Sequence, residues 1–352
     1  MRVAVEATAL GMSSGGLARY TGELSLALAR CFPDDEFFLI SDQPFQLPGG
    51  APTNLRRGGG PRNAVERRWW LWGIVREMHR LHADLVHGPD FAVPYIPRRP
   101  SVLTLHDLSP WMDENWHHAA DRVRRRTPVL LELGVATMIV TPGEGVRRQA
   151  IERFRLLPER IVAVPEAAAS WFRPAAPHAN GGCPYFLFVG TMEPRKNLPA
   201  LIDAWREVRR ECPVDLVLAG RRRADFGELP EEPGLRVMGE VPDDQLPELY
   251  SGALAFVYPS FYEGFGLPVL EAMQCGACVI ASPAIREVGG EAPLYAEGVR
   301  ELAEAMRQVA TRSDLAQERR AESLARAAQF SWERTARMTY QVYLEARKRF
   351  GN

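Results

Sequence analysis

Short apolar runs alternate with amphipathic stretches along the whole chain. The apolar runs are too short for helices and have no polar face, which is typical of strands that are buried on both sides of a parallel sheet. The stretches between them repeat apolar residues at helical spacing, and the alternation predicts an α/β fold with doubly wound sheets. The predicted strands are Arg2–Glu6, Phe37–Ile40, Asp84–His87, Ser101–Leu105, Thr137–Val140, Tyr185–Val189, Asp215–Leu218, Leu235–Met238, Leu254–Val257 and Ala277–Ile280.

The alternation lapses between Glu166 and Pro184, where Ala, Pro and Gly dominate. This lapse predicts two Rossmann-like domains, residues 1–170 and residues 171–330. The last stretch, Ser331–Phe350, predicts one helix with Ser331 as its N-cap. With 352 residues, 46% of them hydrophobic, the chain can build two cores. Since such sheets bind ligands beyond the carboxyl ends of their strands, we expect the two domains to face each other across a cleft.

The balance of charged residues excludes some classes of binding partner. Lys and Arg number 43 against 44 Asp and Glu, a formal net charge of -1, so no global field attracts nucleic acid. No apolar run reaches the roughly 20 residues that would span a bilayer, and Glu6 interrupts the apolar start that a secretion signal needs. We therefore expect a soluble, cytoplasmic protein.

The cysteines indicate a reducing compartment, because they are five in number and show no regular framework. Cys275 and Cys278 have the spacing of half a zinc or redox site. A second pair of Cys or His residues that could complete a metal shell is missing, so both are interpreted as small buried residues between a helix and a strand.

The loop after the strand Leu254–Val257 contains two glutamates, Glu263 and Glu271, around the sequence Gly264-Phe265-Gly266. Pro268 suits the first turn of a helix, so the glycine loop would present its amides to an anion at that helix start. If both glutamates were helical they would stand about 12 Å apart. The two catalytic carboxyl groups of a glycosidase are separated by only about 5 to 10 Å, so we expect Glu263 and Glu271 to bind different parts of one extended ligand.

The loop after the strand Tyr185–Val189 carries Arg195 and Lys196, with Asn197 as the expected N-cap of the next helix. Two cations beside the amides that open a helix favour a diphosphate. The alternative, a solvated basic pair, is weakened because Lys occurs only at positions 196 and 348.

The first domain offers weaker signals. Gly15 and Gly16 precede a helix without the spacing of a dinucleotide fingerprint, which argues against a dehydrogenase. His106 ends a strand and would face the expected cleft, although a lone His at such a place is as often structural. A further Asp pair, Asp243-Asp244, is expected to begin a helix rather than to bind a metal.

A helix predicted over Ala64–Leu81 and a basic stretch after it are the candidates for contact with an acceptor or a membrane surface. At helical spacing the expected buried face consists of Trp69, Trp72, Val75 and His79, which leaves Trp70 facing elsewhere. We expect an anionic or lipid-linked acceptor to meet the basic stretch first, with Trp70 as an accessory. The basic residues concerned are Arg124, Arg125 and Arg126.

In combination these segments resemble the retaining, nucleotide-sugar-dependent glycosyltransferases of family four, which have two Rossmann-like domains in the arrangement called the B fold. The resemblance covers nearly the whole chain. It is carried by the stretch Phe188–Leu198, the segment from Glu263 to Ser282, the strand that ends in His106-Asp107 and the closing Phe330-Ser-Trp-Glu333.

The resemblance implies roles for the candidate residues. Arg195 and Lys196 would neutralise the donor diphosphate with help from amides near Gly15 and Gly16. Glu271 would accept hydrogen bonds from ribose hydroxyls. The transferred sugar would be bound by Glu263, Gly264, Phe265, Gly266 and, from the first domain, His106. The final helix, 331–352, would cross back to the first domain.

The implied reaction transfers a hexose from a nucleotide diphospho-sugar to a hydroxyl of a glycan or lipid-linked acceptor, with retention of configuration. GDP-mannose is the expected donor, with UDP-sugars next, and no cofactor or metal is expected because no Asp-x-Asp triplet occurs. The alternative is a non-catalytic nucleotide-sugar binding or scaffold protein of the same fold. Peripheral contact with the inner face of a membrane is a further expectation.

Overall fold

A computed structural model describes residues 1–11, 15–117, 120–176 and 183–351. Three parts of the sequence interpretation lie outside these residues: the middle of the loop Gly11–Gly16, His118 beside the basic stretch, and Pro177 with Gly181 and Gly182 in the expected linker. The chain forms two compact units, unit 1 (Met1–Ala167 with Ser331–Asn352) and unit 2 (Ala168–Phe330).

Unit 1 contains a seven-stranded parallel sheet in the order β3-β2-β1-β4-β5-β6-β7. Its strands are β1 (Arg2–Glu6), β2 (Glu36–Ile40), β3 (Leu55–Arg57), β4 (Leu85–Gly88), β5 (Ser101–Thr104), β6 (Met138–Thr141) and β7 (Ile161–Ala163). Its α-helices are α1 (Gly16–Cys31), α2 (Ile74–Arg80), α3 (Asp121–Glu132), α4 (Glu144–Phe154) and, from the end of the chain, α11 (Trp332–Arg349). The strand order reverses between β1 and β4, so the ligand crevice of this sheet lies beyond the carboxyl ends of those two strands.

Unit 2 contains a six-stranded parallel sheet in the order β10-β9-β8-β11-β12-β13. Its strands are β8 (Tyr185–Val189), β9 (Asp215–Ala219), β10 (Leu235–Gly239), β11 (Ala255–Tyr258), β12 (Val279–Ala281) and β13 (Leu294–Tyr295). Its helices are α5 (Leu198–Arg209), α6 (Leu246–Gly252), α7 (Leu267–Gln274), α8 (Arg286–Gly289), α9 (Gly298–Thr311) and α10 (Ser313–Ala327). Here the order reverses between β8 and β11.

The sequence pattern predicts these strands well. Each expected strand is present with its ends shifted by at most two residues, and the two-unit α/β architecture is confirmed. The pattern missed β3, β7 and β13, which have two or three residues each and are too short to show periodicity.

The helix expected over Ala64–Leu81 is shorter, and of its predicted buried face only Trp69 is buried. A π turn over Trp69–Gly73 precedes α2, with the Ile74 amide bonded to the Trp69 carbonyl five residues back. The π turn interrupts the α-helical periodicity, so the buried positions that follow cannot be extrapolated from Trp69. The core here contains Trp69, Ile74 and Met78, whereas His79 is exposed.

The closing helix α11 packs against α1 within unit 1. The Ser331 side chain accepts a hydrogen bond from the Arg334 amide at 3.2 Å, which confirms the expected N-cap. Tyr340 stacks on Phe32, the residue that follows α1, with ring centroids 3.7 Å apart. The buried Tyr343 hydroxyl lies 2.7 Å from Nδ1 of His87, a residue of β4. None of the described helices is both long and apolar enough to cross a lipid bilayer.

Candidate active site

The richest polar cluster of unit 2 lies where the order of its strands reverses. The loop Gly190–Asn197 follows β8 and the loop Pro259–Gly266 follows β11, so neighbouring strands deliver both loops to one edge of the sheet. The Phe261 amide donates to the Arg195 carbonyl at 2.9 Å and joins the two loops. This edge is the place at which doubly wound sheets bind ligands.

Glu263 lies between the two cations of the first loop. Its Oε2 accepts a hydrogen bond from Nη1 of Arg195 at 3.0 Å, and its Oε1 accepts one from Nζ of Lys196 at 2.7 Å. Lys196 also donates to the hydroxyl of Tyr258, the last residue of β11, at 2.5 Å. The three charged side chains are no more than 10% exposed, so they form a largely desolvated ion cluster.

The cluster shifts the pKa values of its members. Burial alone would raise the pKa of Glu263, but the charges of Arg195 and Lys196 outweigh it and lower the value to about 2. Burial and the neighbouring Arg195 lower the pKa of Lys196, against the opposing influence of Glu263. Glu263 is therefore an anion at neutral pH, and an additional anion beside Lys196 would favour its charged form.

Two further charged residues, which the sequence did not single out, extend the cluster. Glu193 accepts from Nη2 of Arg195 at 2.7 Å and from Nη1 of Arg223 at 3.0 Å. Glu193 lies in the same loop as Arg195, two residues before it, so its position in the sequence could have identified it as a partner of that cation. Arg223 follows β9 and nothing in the local sequence connects it with this loop.

The expected role of Glu263 toward the transferred sugar must therefore accommodate its ion pairs. In the structure its carboxylate orients Arg195 and Lys196.

The neighbouring glycine loop fits the sequence expectation more closely, since α7 begins at Leu267 with Pro268 in its first turn. Gly266 has φ of 100° and an added Cβ would lie 3.1 Å from Ile285, so both the backbone angle and the space require glycine. The half-buried Phe265 packs edge-on against Phe330, with ring centroids 6.0 Å apart.

Glu271 lies on α7 and is only 1% exposed. Its Oε2 accepts a hydrogen bond at 3.2 Å from the hydroxyl of Tyr250 on α6, a partner that the sequence did not indicate. The expected contact of Glu271 with a ribose remains a prediction, and it requires this buried carboxylate to become accessible.

Asn197 occupies the N-cap position of α5, as expected, but its side chain does not cap the helix. Asn197 has φ of 54°, its side chain makes no cap hydrogen bond, and its amide nitrogen donates instead to the Pro259 carbonyl at 3.4 Å. Asn197 has left-handed backbone angles and lies between the turn Pro194–Lys196 and α5, where the chain changes direction. Asn adopts left-handed backbone angles more readily than most residues, because its short polar side chain can form local hydrogen bonds. Its side chain thereby joins the two loops of the cluster.

In unit 1, His106 follows β5 and both of its ring nitrogens face protein acceptors. Nε2 lies 2.7 Å from the Pro89 carbonyl and Nδ1 lies 3.1 Å from Oε1 of Glu166. Burial lowers the pKa of His106, but the hydrogen bond and charge of Glu166 outweigh this effect and the net shift is upward. An imidazole ring that is protonated at both nitrogens can donate to both of these acceptors at once. A sugar contact by His106 stays a prediction and would have to use the part of the ring that is exposed.

Glu6 is the last residue of β1 and Asp90 follows β4, so both lie where the order of the strands in unit 1 reverses. Glu6 accepts hydrogen bonds from the Thr8 amide and from Nε1 of Trp69, each at 3.3 Å. Burial nevertheless raises the pKa of Glu6 to about 7, and Asp90 adds to the shift. Burial also raises the pKa of Asp90, against His106 and Arg126. The sequence interpretation missed both carboxyl groups as candidates.

The expected acceptor residues of unit 1 have different surroundings. Arg124 donates to the carbonyls of Pro110 at 2.6 Å and His117 at 2.8 Å, so it holds a loop together. Arg125 remains exposed, apart from a 3.4 Å hydrogen bond within its own helix. Arg126 lies over the half-buried ring of Trp70 at 5.4 Å, and these two residues do meet. Gly15 and Gly16 open α1, and Gly15 has φ of 128°.

Two family models match the chain. The one described as Glycosyltransferase Family 4 matches residues 14–168, and the one described as Glycosyl transferases group 1 matches residues 183–312. O-antigen chain mannosyltransferase B of Escherichia coli is 36% identical over 367 residues, which cover 93% of this chain and 95% of that protein. The chain belongs to the family 4 glycosyltransferases. The D-inositol 3-phosphate glycosyltransferase of Frankia alni is 30% identical, and the match covers 95% of both chains.

Solved structures place this glycosyltransferase in the B fold. Sucrose-phosphate synthase of Thermosynechococcus elongatus has a TM-score of 0.74 at 19% identity, with 98% of both chains covered. WaaG, a glycosyltransferase involved in lipopolysaccharide biosynthesis, has a TM-score of 0.72 at 16% identity, with 100% of both chains covered. The fold expected from the resemblance is therefore confirmed.

The cysteines of this glycosyltransferase have the structural role expected of them. Cys275 follows α7, Cys278 precedes β12, and both are buried free thiols. Within the described ranges, no group of three or more His, Cys, Asp or Glu side chains could hold a metal ion.

Proposed function

We propose that this glycosyltransferase moves a mannosyl residue from GDP-mannose to a hydroxyl of a polysaccharide or lipid-linked glycan, with retention at the anomeric carbon. The mannosyl donor is favoured over a UDP-sugar by the 36% identity to O-antigen chain mannosyltransferase B of Escherichia coli. The same relative supports a glycan as the acceptor.

The observation that carries the proposal is the ion cluster of Arg195, Lys196 and Glu263 at the switch point of unit 2. Glycosyl transfer from a diphospho-sugar needs positive charge where the diphosphate departs, and preorganised charges in a desolvated site supply it without reorganisation. Glu193 and Glu263 would hold the two cations in place before the donor arrives. Burial disfavours the ammonium of Lys196, so a bound diphosphate would stabilise the charged form.

The proposed chemistry needs no protein nucleophile. Arg195 and Lys196 would stabilise the leaving diphosphate while the sugar passes through an oxocarbenium-like state. The acceptor hydroxyl would then attack the face from which the diphosphate departs, which retains the configuration. The two cations, with the amides that precede α7, would take the part that a magnesium ion has in other transferases.

The test is a transfer assay on the purified enzyme with a panel of nucleotide diphospho-sugars and a mannan-type acceptor. Product formation from GDP-mannose, with the one-bond C1–H1 coupling of an α-mannoside in the NMR spectrum of the product, is the expected result. A β-linked product would contradict the proposed retention of configuration, and turnover of a UDP-sugar alone would contradict GDP-mannose as the donor. Donor binding without either transfer or hydrolysis would favour the non-catalytic alternative.

A further inference from the structure

Unit 1 contains a cavity of about 560 Å³ beside the place where the order of its strands reverses. Its walls are the loops that follow β2 and β3, so it opens at the carboxyl ends of two adjacent strands. Binding cavities for small molecules have about 300 to 1,000 Å³, and this one is within that range. The residues that carry the argument below are Ser41, Asp42, Phe45, Arg57, Gly60 and Arg67.

Two arginines give this cavity its charge. The Arg57 guanidinium lies 4.8 Å from the centroid of the Phe45 ring, a contact that fixes its position without neutralising it. Among the residues that the structure describes, neither Arg57 nor Arg67 forms an ion pair. Arg56, one position earlier on β3, does form one, with Glu36 at 3.2 Å. The arginines of the cavity therefore lack the carboxylate that their neighbour has.

One neutral donor supplements the two guanidinium groups. Gly60 belongs to the lining, and its amide has no acceptor among the described residues. The Ser41 hydroxyl is already engaged, because it accepts from the Gln43 amide at 2.9 Å and lies 3.1 Å from the Thr8 hydroxyl. An added Cβ at Gly60 would lie 2.9 Å from the Ser41 carbonyl, so glycine is what lets the loop after β3 approach the loop after β2. Asp42 is the acidic residue of the lining, and it lies 3.3 Å from the Thr8 hydroxyl.

We propose that this cavity binds a phosphate or diphosphate ester carried by the acceptor substrate, an inference that rests on the proposed function. The planar fork of a guanidinium matches phosphate oxygens in pairs, and a group with several acceptor oxygens can use both arginines and the Gly60 amide at once. The cavity is larger than one phosphate, so it also has room for part of the molecule that carries the ester.

The position of the cavity connects it with the centre of the crevice. The Thr8 hydroxyl lies 3.1 Å from that of Ser41 in the cavity wall, and it also donates to Glu6 at the end of β1. An acceptor anchored by its phosphate at Arg57 and Arg67 therefore extends toward the buried carboxyl groups of Glu6 and Asp90. The anionic end and the hydroxyl-bearing end of one acceptor would occupy adjacent strand ends.

The binding test compares the full-length wild type with two double variants of equal charge. The cavity variant is Arg57→Gln with Arg67→Gln, and the matched control is Arg56→Gln with Arg68→Gln, which changes neighbours that do not line the cavity. Inorganic pyrophosphate is the probe, and hydrogen-exchange mass spectrometry locates its binding. Slower exchange in peptides 41–47 and 57–67 is expected for the wild type and the control. No such protection, or equal protection in the cavity variant, would overturn the proposal.

The kinetic test distinguishes an acceptor phosphate from free phosphate. Two acceptors are compared, the glycan on a lipid diphosphate and the same glycan with a free reducing end. In the cavity variant the KM for the diphosphate acceptor should rise at least about tenfold, with the KM for the free glycan unchanged. Loss of pyrophosphate protection with both KM values unchanged would overturn the assignment to the acceptor. The exchange experiment needs no turnover, so its result stands even if the proposed function fails.

Discussion

Nζ of Lys196 lies 2.7 Å from Oε1 of Glu263, although the two residues are 67 positions apart in the chain. The contact exists because β8 and β11 are neighbours and each ends in one of the two loops. A cation that is to meet a diphosphate is thus already paired with a carboxylate in the same buried cluster. We therefore expect a substitution of either Lys196 or Glu263 to lower the activity.

Lys196→Ala should lower kcat/KM for the donor by about 100-fold or more, because a preorganised charge at the leaving group is lost. The chain supplies a matched control, since the other lysine, Lys348, has a side chain that is 79% exposed and lies 3.8 Å from Glu345. Lys348→Ala should keep wild-type kinetics. Initial rates and far-UV circular dichroism measured on both variants test this, and near-normal turnover by a folded Lys196→Ala protein would remove Lys196 from the site.

The low pKa of Glu263 predicts a specific acid sensitivity. A carboxyl group with a pKa of about 2 in the folded state and 4.5 as its reference value stabilises the fold above the reference value. That contribution is lost as the pH falls toward 2. Glu263→Gln should therefore weaken the dependence of the melting temperature on pH in this range, as measured by scanning calorimetry. Parallel curves for the two proteins would contradict the depressed pKa.

Glu166→Gln should lower the pKa of His106, because the hydrogen bond and charge of Glu166 keep it raised. The His106 contribution to stability is present below the pKa of the unfolded state and is lost as the pH rises through the folded-state value. NMR titration of the imidazole Cε1 proton measures the shift, with His106→Gln to assign the resonance. An unchanged titration midpoint would show that Glu166 does not set the protonation of this ring.

Tyr250→Phe should raise the KM for the donor about three- to tenfold with little change in kcat, because one hydrogen bond that orients Glu271 is removed. Tyr185→Phe is the control, since that hydroxyl donates at 3.0 Å to the Leu249 carbonyl in the same part of unit 2. A similar rise in both variants would indicate a general packing effect.

Transfer should continue at full rate in an excess of a strong chelator, because Arg195 and Lys196 supply the positive charge. The measurement is the initial rate with and without chelator, and with magnesium added back. Loss of activity that magnesium restores would contradict the metal-independent mechanism.

The sequence predicted the parts of the molecule that depend on local patterns. Buried parallel strands such as Tyr185–Val189 are continuous apolar runs, and Pro268 indicated where α7 begins. The ion pairs of Glu263 could not be predicted, because they depend on which strand ends meet. Beyond Trp69, the predicted buried face of the tryptophan helix was wrong, because a π turn interrupts the helical periodicity on which that prediction depends. The N-cap position of Asn197 was predicted, but its hydrogen bond to the Pro259 carbonyl was not, because that contact depends on which loops meet.

The place of α11 in unit 1 has a consequence for the order in which the chain acquires structure during synthesis. All of unit 2 is synthesised before α11, so the sheet of unit 2 can form while unit 1 is still incomplete. Until then Phe32 lacks the Tyr340 ring that covers it, and His87 lacks the hydroxyl of Tyr343. Chains that stop before residue 331 should therefore contain a folded second unit and an unfinished first one, a species prone to capture by chaperones.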